Sequence, residues 1–96
     1  MFVLITYDVN TSSMGGEKRL RKVAKICQDY GHRVQNSVFE CYIPEDKLIF
    51  LRQMLETIID KGQDSIRFYY LGNNYLHRVD HIGKQTAIDF TSELII

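Results

Sequence analysis

The first nine residues place apolar side chains at both alternating positions of an extended chain. Val3, Ile5 and Tyr7 fall on one side, and Phe2 and Leu4 fall on the other. β-Branched and aromatic residues in this arrangement predict a strand that is covered on both faces. Helices can cover one of these faces, and we expect a second copy of the chain to cover the other.

Two later segments repeat their apolar residues at the spacing of an α-helix. The first runs from Glu17 to about Tyr30 and ends at Gly31. The second starts at Pro44 and is predicted to end at Gly62. One apolar stripe is expected on each, formed by Leu20, Val23, Ala24 and Cys27 in the first and by Leu48, Leu51, Leu55, Ile58 and Ile59 in the second.

The remaining alternation predicts further strands. Residues 33–43 change phase at Asn36 and Ser37, which predicts two short strands joined by a turn or bulge. Residues 65–71 alternate again, and a turn at 72–74 precedes a predicted strand over 75–82. The order β-α-β-β-α-β with an additional C-terminal strand is typical of the ferredoxin-like α+β fold, with both helices on one face of an antiparallel sheet. The sheet face without helices predicts a homodimer.

Length and charge narrow the classes of protein. The 96 residues suit a single domain over 1–96, in which 83–96 is a C-terminal extension expected to pack on the partner subunit. Lys plus Arg and Asp plus Glu both total 12, so the net charge favours no particular partner. The basic residues nevertheless cluster over 15–35, and such a cluster can bind phosphate locally.

The sequence predicts a cytoplasmic protein without a membrane partner. No segment is apolar enough over the length of a membrane span, and no basic leader precedes the first strand. Cys27 and Cys41 lie among apolar positions and lack the spacing of metal ligands, so we expect buried, reduced thiols.

Asp8 ends the first strand and borders a small, polar, glycine-containing loop. It has two interpretations. As a turn residue, it would only close the strand. As a metal ligand, it would suit Mg²⁺, which keeps several waters and needs only one or two carboxylates beside phosphate oxygens. A two-fold axis near Asp8 would supply the second carboxylate from the partner subunit.

Basic residues follow this loop at the start of the first helix, at Lys18, Arg19, Arg21 and Lys22. Such a cluster is either a solvated helix face or a phosphate-binding patch, because arginine presents paired donors to phosphate. Arg33 joins the patch only if the fold brings it close. The sequence contains no glycine-rich nucleotide loop, no nucleophile elbow and no zinc-binding pattern.

Three stretches carry a resemblance to one known family. They are LITYDV at the end of the first strand, KRLRKVAKICQDYG in the helix and RVQNSVFEC after it. In this order and spacing they resemble the small CRISPR-associated endonuclease family, the second of the two near-universal CRISPR adaptation proteins, over about residues 2–82. The TSSMGG insertion resembles the branch found with subtype I-C systems.

The resemblance implies a ferredoxin-like homodimer that hydrolyses phosphodiester bonds of RNA or double-stranded DNA with Mg²⁺, or with Mn²⁺. It implies that Asp8 is the catalytic residue and that Asp8 from both subunits holds the metal. It also implies a place in CRISPR spacer acquisition and antiviral defence beside the CRISPR integrase. The positions that it associates with the site or with nucleic acid are Tyr7, Arg19, Arg21, Arg33, Ser37 and Phe39.

Three functions stay open at this point. The first is a metal-dependent endonuclease, for which the sequence names no general base. The second is a non-catalytic DNA-binding adaptor that bridges the integrase dimers, in which Asp8 is structural. The third is a ferredoxin-like small-molecule regulatory domain. The third lacks a recognisable effector loop and leaves the basic cluster without a purpose.

Overall fold

The computed structural model describes residues 1–72 and positions 74, 80 and 82. Its elements are β1 (Phe2–Asp8), α1 (Gly16–Tyr30), β2 (His32–Gln35), β3 (Val38–Tyr42), α2 (Glu45–Ile58) and β4 (Ser65–Tyr70). The strands form one antiparallel sheet in the order β2-β3-β1-β4. This topology confirms the predicted ferredoxin-like α+β fold. The predicted extension over 83–96 lies outside the described residues, as do most positions of the predicted strand over 75–82.

The core lies between the sheet and its two helices. β1 is central, and its register sets Ile5 opposite Phe39 of β3 and Phe68 of β4. Ile5 and Phe39 are fully buried, together with Val23 from α1 and Leu51 from α2. Burying each such side chain stabilises the fold by roughly 1.5–3 kcal/mol, which holds both helices on this face.

The opposite sheet face is only partly covered in one chain. Phe2 is buried there, and its ring lies 4.3 Å from that of Tyr42, measured between centroids. Tyr42 and Tyr69 remain 45% and 40% exposed. This face has the exposed aromatic surface that a second subunit would bury, and the homodimer stays a prediction.

A β-bulge shapes the β2–β3 hairpin, which turns at residues 36–37 as the phase change predicts. Arg33 and Gln35 pair with the consecutive residues Phe39 and Val38, so β2 carries one extra residue. Bulges change the direction of the side chains around them. Arg33 lies before the bulge, pairs directly with Phe39 and so shares its face, and its guanidinium carbon lies 5.2 Å from the centre of that ring.

Gly31 lets the chain pass from α1 into β2 very close to β3. Its backbone N–H donates to the carbonyl oxygen of Cys27 at 2.9 Å and so ends the helix. A Cβ atom at this position would lie 2.4 Å from the Sγ of Cys41 and 2.6 Å from the backbone oxygen of Glu40. No side chain fits into that space, which explains why glycine follows the helix.

The prediction that α2 continues to Gly62 is wrong, because the helix ends at Ile58. Ile59 takes an extended backbone conformation. The backbone N–H of Asp60 donates to the carboxylate of Asp64 at 2.9 Å, and the N–H of Asp64 returns to the Asp60 carbonyl at 2.7 Å. These bonds replace the next helical turn. Within the part of the chain that the structure describes, no helix has the length and apolarity to span a lipid bilayer.

Candidate functional site

A cleft of about 440 Å³ opens beside the C-terminal end of β1. Three segments of the chain form its walls: the end of β1, the middle of α1 and the β2–β3 hairpin. The cleft therefore brings four of the predicted site residues together, namely Tyr7, Asp8, Arg33 and Ser37, with Val9, Leu20, Ala24 and Asn36 completing the lining.

Asp8 is exposed at the edge of this cleft. It does not cap α1, whose N-cap residue is Gly15 in the left-handed conformation. The hydrogen bonds of the following turn belong to Asn10, whose side-chain oxygen accepts from the backbone N–H of Ser12 at 3.1 Å. Asp8 therefore neither caps the helix nor forms the side-chain bond of the turn. The Asp8 carboxylate is available to an external ligand.

A metal at Asp8 would need further oxygen ligands. Among the described residues, no group of three or more His, Cys, Asp or Glu side chains is placed to hold an ion. Mg²⁺ accepts such a site when water, phosphate or a second carboxylate supplies the rest of its octahedral shell. The single exposed carboxylate fits a site whose other oxygens come from water, phosphate or a second carboxylate.

Tyr7 ties the hairpin to β1. Its hydroxyl donates to the backbone oxygen of Asn36 at 3.2 Å, and its backbone N–H donates to the Ser37 oxygen at 3.1 Å. Burial raises the pKa of Tyr7 above its ordinary value, and the nearby Arg33 guanidinium offsets part of this effect. Tyr7 is therefore neutral at physiological pH, so it can hold a hydrogen bond but cannot accept a proton as a base.

Phe39 lies beneath the site. It is 0% exposed, and its ring stacks on Tyr7 with a centroid distance of 6.1 Å. The guanidinium of Arg33 lies over the Phe39 ring itself. The ring therefore supports Arg33 from below and is not positioned to touch a nucleic acid itself.

Arg19 lies outside the cleft lining, in a bidentate ion pair. Its Nε is 2.7 Å from Oδ2 of Asp64, and its Nη2 is 3.3 Å from Oδ1. The remaining donors reach the loop over residues 10–16, with Nη1 3.0 Å from the backbone oxygen of Met14 and Nη2 2.8 Å from Oγ of Ser13. The contact of Arg19 with nucleic acid stays a prediction.

Arg21 belongs to a second surface on α1. It is exposed and borders a shallow depression of about 400 Å³ that does not include the cleft residues. The lining of this basic surface consists of Lys18, Arg21, Lys22 and Lys25, with Ile26 and Ile58 at its floor. The predicted basic cluster is therefore divided between an ion pair at Arg19 and an open helix face.

Asp64 and Asn36 take part in the arrangement although neither was predicted as a site residue, Asn36 having been named only for the turn. Asp64 pairs with a residue 45 positions away, and no local pattern announces such a contact. Asn36 contributes its backbone oxygen to Tyr7, and the identity of its side chain gives no signal of that role.

The comparison with known sequences identifies the family. The family model described as CRISPR associated protein Cas2 matches residues 1–79. A protein of Halalkalibacterium halodurans named CRISPR-associated endonuclease Cas2 is 60% identical over 95 residues, which cover 99% of each chain. A Rhodospirillum rubrum protein named CRISPR-associated endoribonuclease Cas2 3 is 53% identical over 94 residues, covering 98% of this chain and 99% of that protein.

Solved structures agree with this result. The crystal structure of Streptococcus pyogenes Cas2 at pH 6.5 superposes with a TM-score of 0.77 and 55% identity, covering 86% of this chain and 100% of the other. A hypothetical protein of Thermus thermophilus gives a TM-score of 0.72 at 33% identity, covering 88% and 93% of the two chains. On the sequence match over most of its length and on the shared fold, the chain belongs to the Cas2 family of CRISPR-associated proteins.

Proposed function

We propose that the protein is a metal-dependent endonuclease that hydrolyses phosphodiester bonds of RNA or double-stranded DNA in CRISPR spacer acquisition and antiviral defence. The observation that carries this proposal is that Asp8, an exposed acid, and Arg33 line the same cleft at the end of β1. An acid for a cation and an arginine for a phosphate are the side chains that such a reaction uses. The names of the relatives, endonuclease and endoribonuclease, support the same activity.

Asp8 from each of two subunits would hold Mg²⁺ or Mn²⁺. When bound, such an ion neutralises phosphate charge and makes its coordinated water more acidic. Arg33 binds the phosphate, and Phe39 beneath it fixes the direction of its guanidinium. Tyr7 keeps the hairpin that carries Arg33 against the strand that carries Asp8.

The geometry of β1 supports the homodimer in this proposal. Successive side chains of a strand point to opposite faces, so Asp8 shares a side with Leu4 and Thr6, away from the helices. This is the face on which Tyr42 and Tyr69 remain exposed. A two-fold axis through this face would bring two copies of Asp8 together.

A second candidate is a non-catalytic DNA-binding adaptor between dimers of the CRISPR integrase. One observation favours it. The basic surface around Arg21 lies outside the Asp8 cleft, so DNA could bind there without using the carboxylate. An assay of nucleic-acid cleavage distinguishes the nuclease from the adaptor.

Cleavage of defined RNA and duplex DNA by the purified protein, in Mg²⁺ and in excess chelator, tests the proposed function. We expect cleavage in Mg²⁺ only, by a protein that sediments as a dimer. Tight DNA binding without cleavage of either substrate would support the adaptor instead.

The basic residues predict the salt dependence of DNA binding. Each phosphate neutralised by a cation contributes about −0.9 to the slope of log affinity against log salt. We expect Arg21→Ala and Arg33→Ala each to flatten the measured slope by about one unit and to weaken binding equally for all sequences. Fluorescence anisotropy over a salt series measures both slopes.

Lys61→Ala is the matched control for this series. Lys61 is exposed and lines neither the cleft nor the basic surface. Its removal is expected to leave the slope unchanged. If the slopes of the two arginine variants also equalled that of the wild type, the basic cluster would be a solvated face.

A further inference from the structure

Asp64 is a fully enclosed carboxylate at the start of β4. Its side chain is 0% exposed, and each of its oxygens accepts two hydrogen bonds. Oδ1 accepts from the backbone N–H of Asn10 at 3.0 Å and from Nη2 of Arg19 at 3.3 Å. Oδ2 accepts from Nε of Arg19 at 2.7 Å and from the backbone N–H of Asp60 at 2.9 Å.

These bonds join the segment before β4 to three other places in the chain. Asn10 follows β1, Asp60 follows α2, and Arg19 lies in the first turns of α1. We call the Arg19–Asp64 ion pair, with the N–H groups of Asn10 and Asp60, the Asp64 clasp. It fastens both ends of the 10–16 loop, because Arg19 also donates to the backbone of Met14.

The loop is packed as well as hydrogen-bonded. A Cβ atom on Gly16 would lie 2.1 Å from the backbone oxygen of Asn10 and 2.8 Å from the Cα of Thr11. Gly16, which ends the loop and begins α1, therefore lies directly against the start of the loop. Between these contacts and the clasp, the loop has little freedom to move without breaking the ion pair.

We propose that Arg19 and Asp64 are positioning residues that fix the end of β1, and with it Asp8, in the arrangement that presents the carboxylate to a nucleic acid; this rests on the proposed nuclease function. Asn10 is anchored to Asp64 only two residues after Asp8, which is a reach of at most about 7 Å along the chain. On the neighbouring strand, Asp8 pairs with Ser65, the residue next to Asp64. The end of β1 and the start of β4 are thus held together by one carboxylate.

The electrostatics of the Asp64 clasp keep its ion pair formed at physiological pH. The hydrogen bond from Arg19 is the main cause that lowers the pKa of Asp64 to about 2. A carboxyl group whose pKa is lower in the folded than in the unfolded state stabilises the fold above its ordinary value near 4. That stabilisation is lost only as the pH falls from about 4 towards 2. The clasp is therefore intact throughout the physiological range, and the charge of Arg19 is already neutralised.

A double-mutant cycle separates positioning from direct phosphate contact. The variants are Arg19→Gln, Asp64→Asn and the two together, and the readouts are single-turnover cleavage and the salt slope of DNA binding. Loss of a residue that orients a metal ligand typically costs 10- to 100-fold in activity. We expect each single variant to lose about 10-fold or more in cleavage rate, and the double variant to lose no more than the worse single variant.

The salt slope should stay at the wild-type value in all three variants. Arg19→Lys should also cleave poorly, because lysine keeps the charge but cannot form the two-pronged contact with Asp64. A slope flattened by one unit in Arg19→Gln but not in Asp64→Asn, with cleavage restored in Arg19→Lys, would overturn the proposal in favour of a phosphate contact.

Hydrogen exchange gives a readout that does not depend on cleavage. The amide protons of Asn10 and Asp60 are bonded to Asp64, so they should exchange faster in Arg19→Gln and Asp64→Asn. Arg21→Gln removes the same charge from the exposed face of the same helix and is the control for exchange, where no change is expected.

The exchange experiment also separates the two hypotheses. If the wild type cleaves neither substrate, the proposed nuclease function fails while the exchange still tests the clasp. If the wild type cleaves and the variants match it in both cleavage and exchange, the positioning role fails alone. Should a single variant not fold, Arg19→Lys retains a charged pair, and its exchange and cleavage decide the same question.

Discussion

Replacing Asp8 with asparagine is expected to abolish metal-dependent cleavage and to leave a folded, dimeric protein. The amide has the shape of the carboxylate but lacks its charge. In a dimer the substitution removes the Asp8 carboxylate of both subunits at once. Removing an outer-shell partner of a metal ligand lowers metal affinity or activity by about 10- to 100-fold. Loss of the ligand itself should therefore lower the cleavage rate by at least about 100-fold. Asp8 is exposed, and exposed substitutions usually change stability by less than about 0.5 kcal/mol.

Initial cleavage rates on RNA and duplex DNA measure this effect, and sedimentation with thermal unfolding checks the fold and the dimer. Asp29→Asn is the matched control because Asp29 is an exposed acid at the far end of α1, paired with Lys25. DNA binding should survive in Asp8→Asn, since the arginines remain. Equal cleavage by wild type and Asp8→Asn would mean that Asp8 only closes β1.

Replacing Phe39 with alanine is expected to cost about 3–5 kcal/mol of stability, the usual range for a fully buried phenylalanine. Small domains have a total free energy of unfolding of about 5–15 kcal/mol, so this variant should be largely unfolded or close to it. Urea denaturation followed by circular dichroism measures the change. A loss of DNA binding in Phe39→Ala would therefore report on folding.

Phe39→Leu isolates the contribution of the ring. Leucine keeps the core filled, at a cost on the order of 1 kcal/mol, but removes the aromatic surface beneath Arg33. We expect DNA affinity to fall only about 2- to 5-fold, which corresponds to a cation–π contact of about 0.5–1 kcal/mol. A folded Phe39→Leu variant that lost far more affinity would indicate that a base stacks directly on Phe39.

The secondary structure was predictable where its cause is local. The alternation in β1 and the apolar stripe in α1 depend on neighbouring residues, and both elements were found within one residue of the predicted ends. The end of α2 was not predictable, because Ile58 and Ile59 continue the helical stripe. The bonds that stop the helix come from Asp64, whose pairing with Arg19 no local pattern contains.

The candidate site was predictable to a similar extent. Asp8 could be found from its place at a strand end, and Arg33 reaches the same cleft from the hairpin whose turn the phase change at residues 36–37 had indicated. The different surroundings of Arg19 and Arg21 could not be found, although only one residue separates them. A helix turns by about 100° per residue, so these two arginines face apart, and only the folded loop decides which one meets Asp64.

The reactivity of the two cysteines reports how often the core of the protein opens. Both side chains are fully buried and unpaired, and burial raises the pKa of each thiol to about 12. Thiol reagents attack the thiolate, which such a group hardly forms at neutral pH. Alkylation of the native protein therefore requires a fluctuation that separates α1 from the sheet. The rate of alkylation measures how often such fluctuations occur. A label on Cys27 or Cys41 records that one molecule has opened, however briefly, and closing again does not erase it.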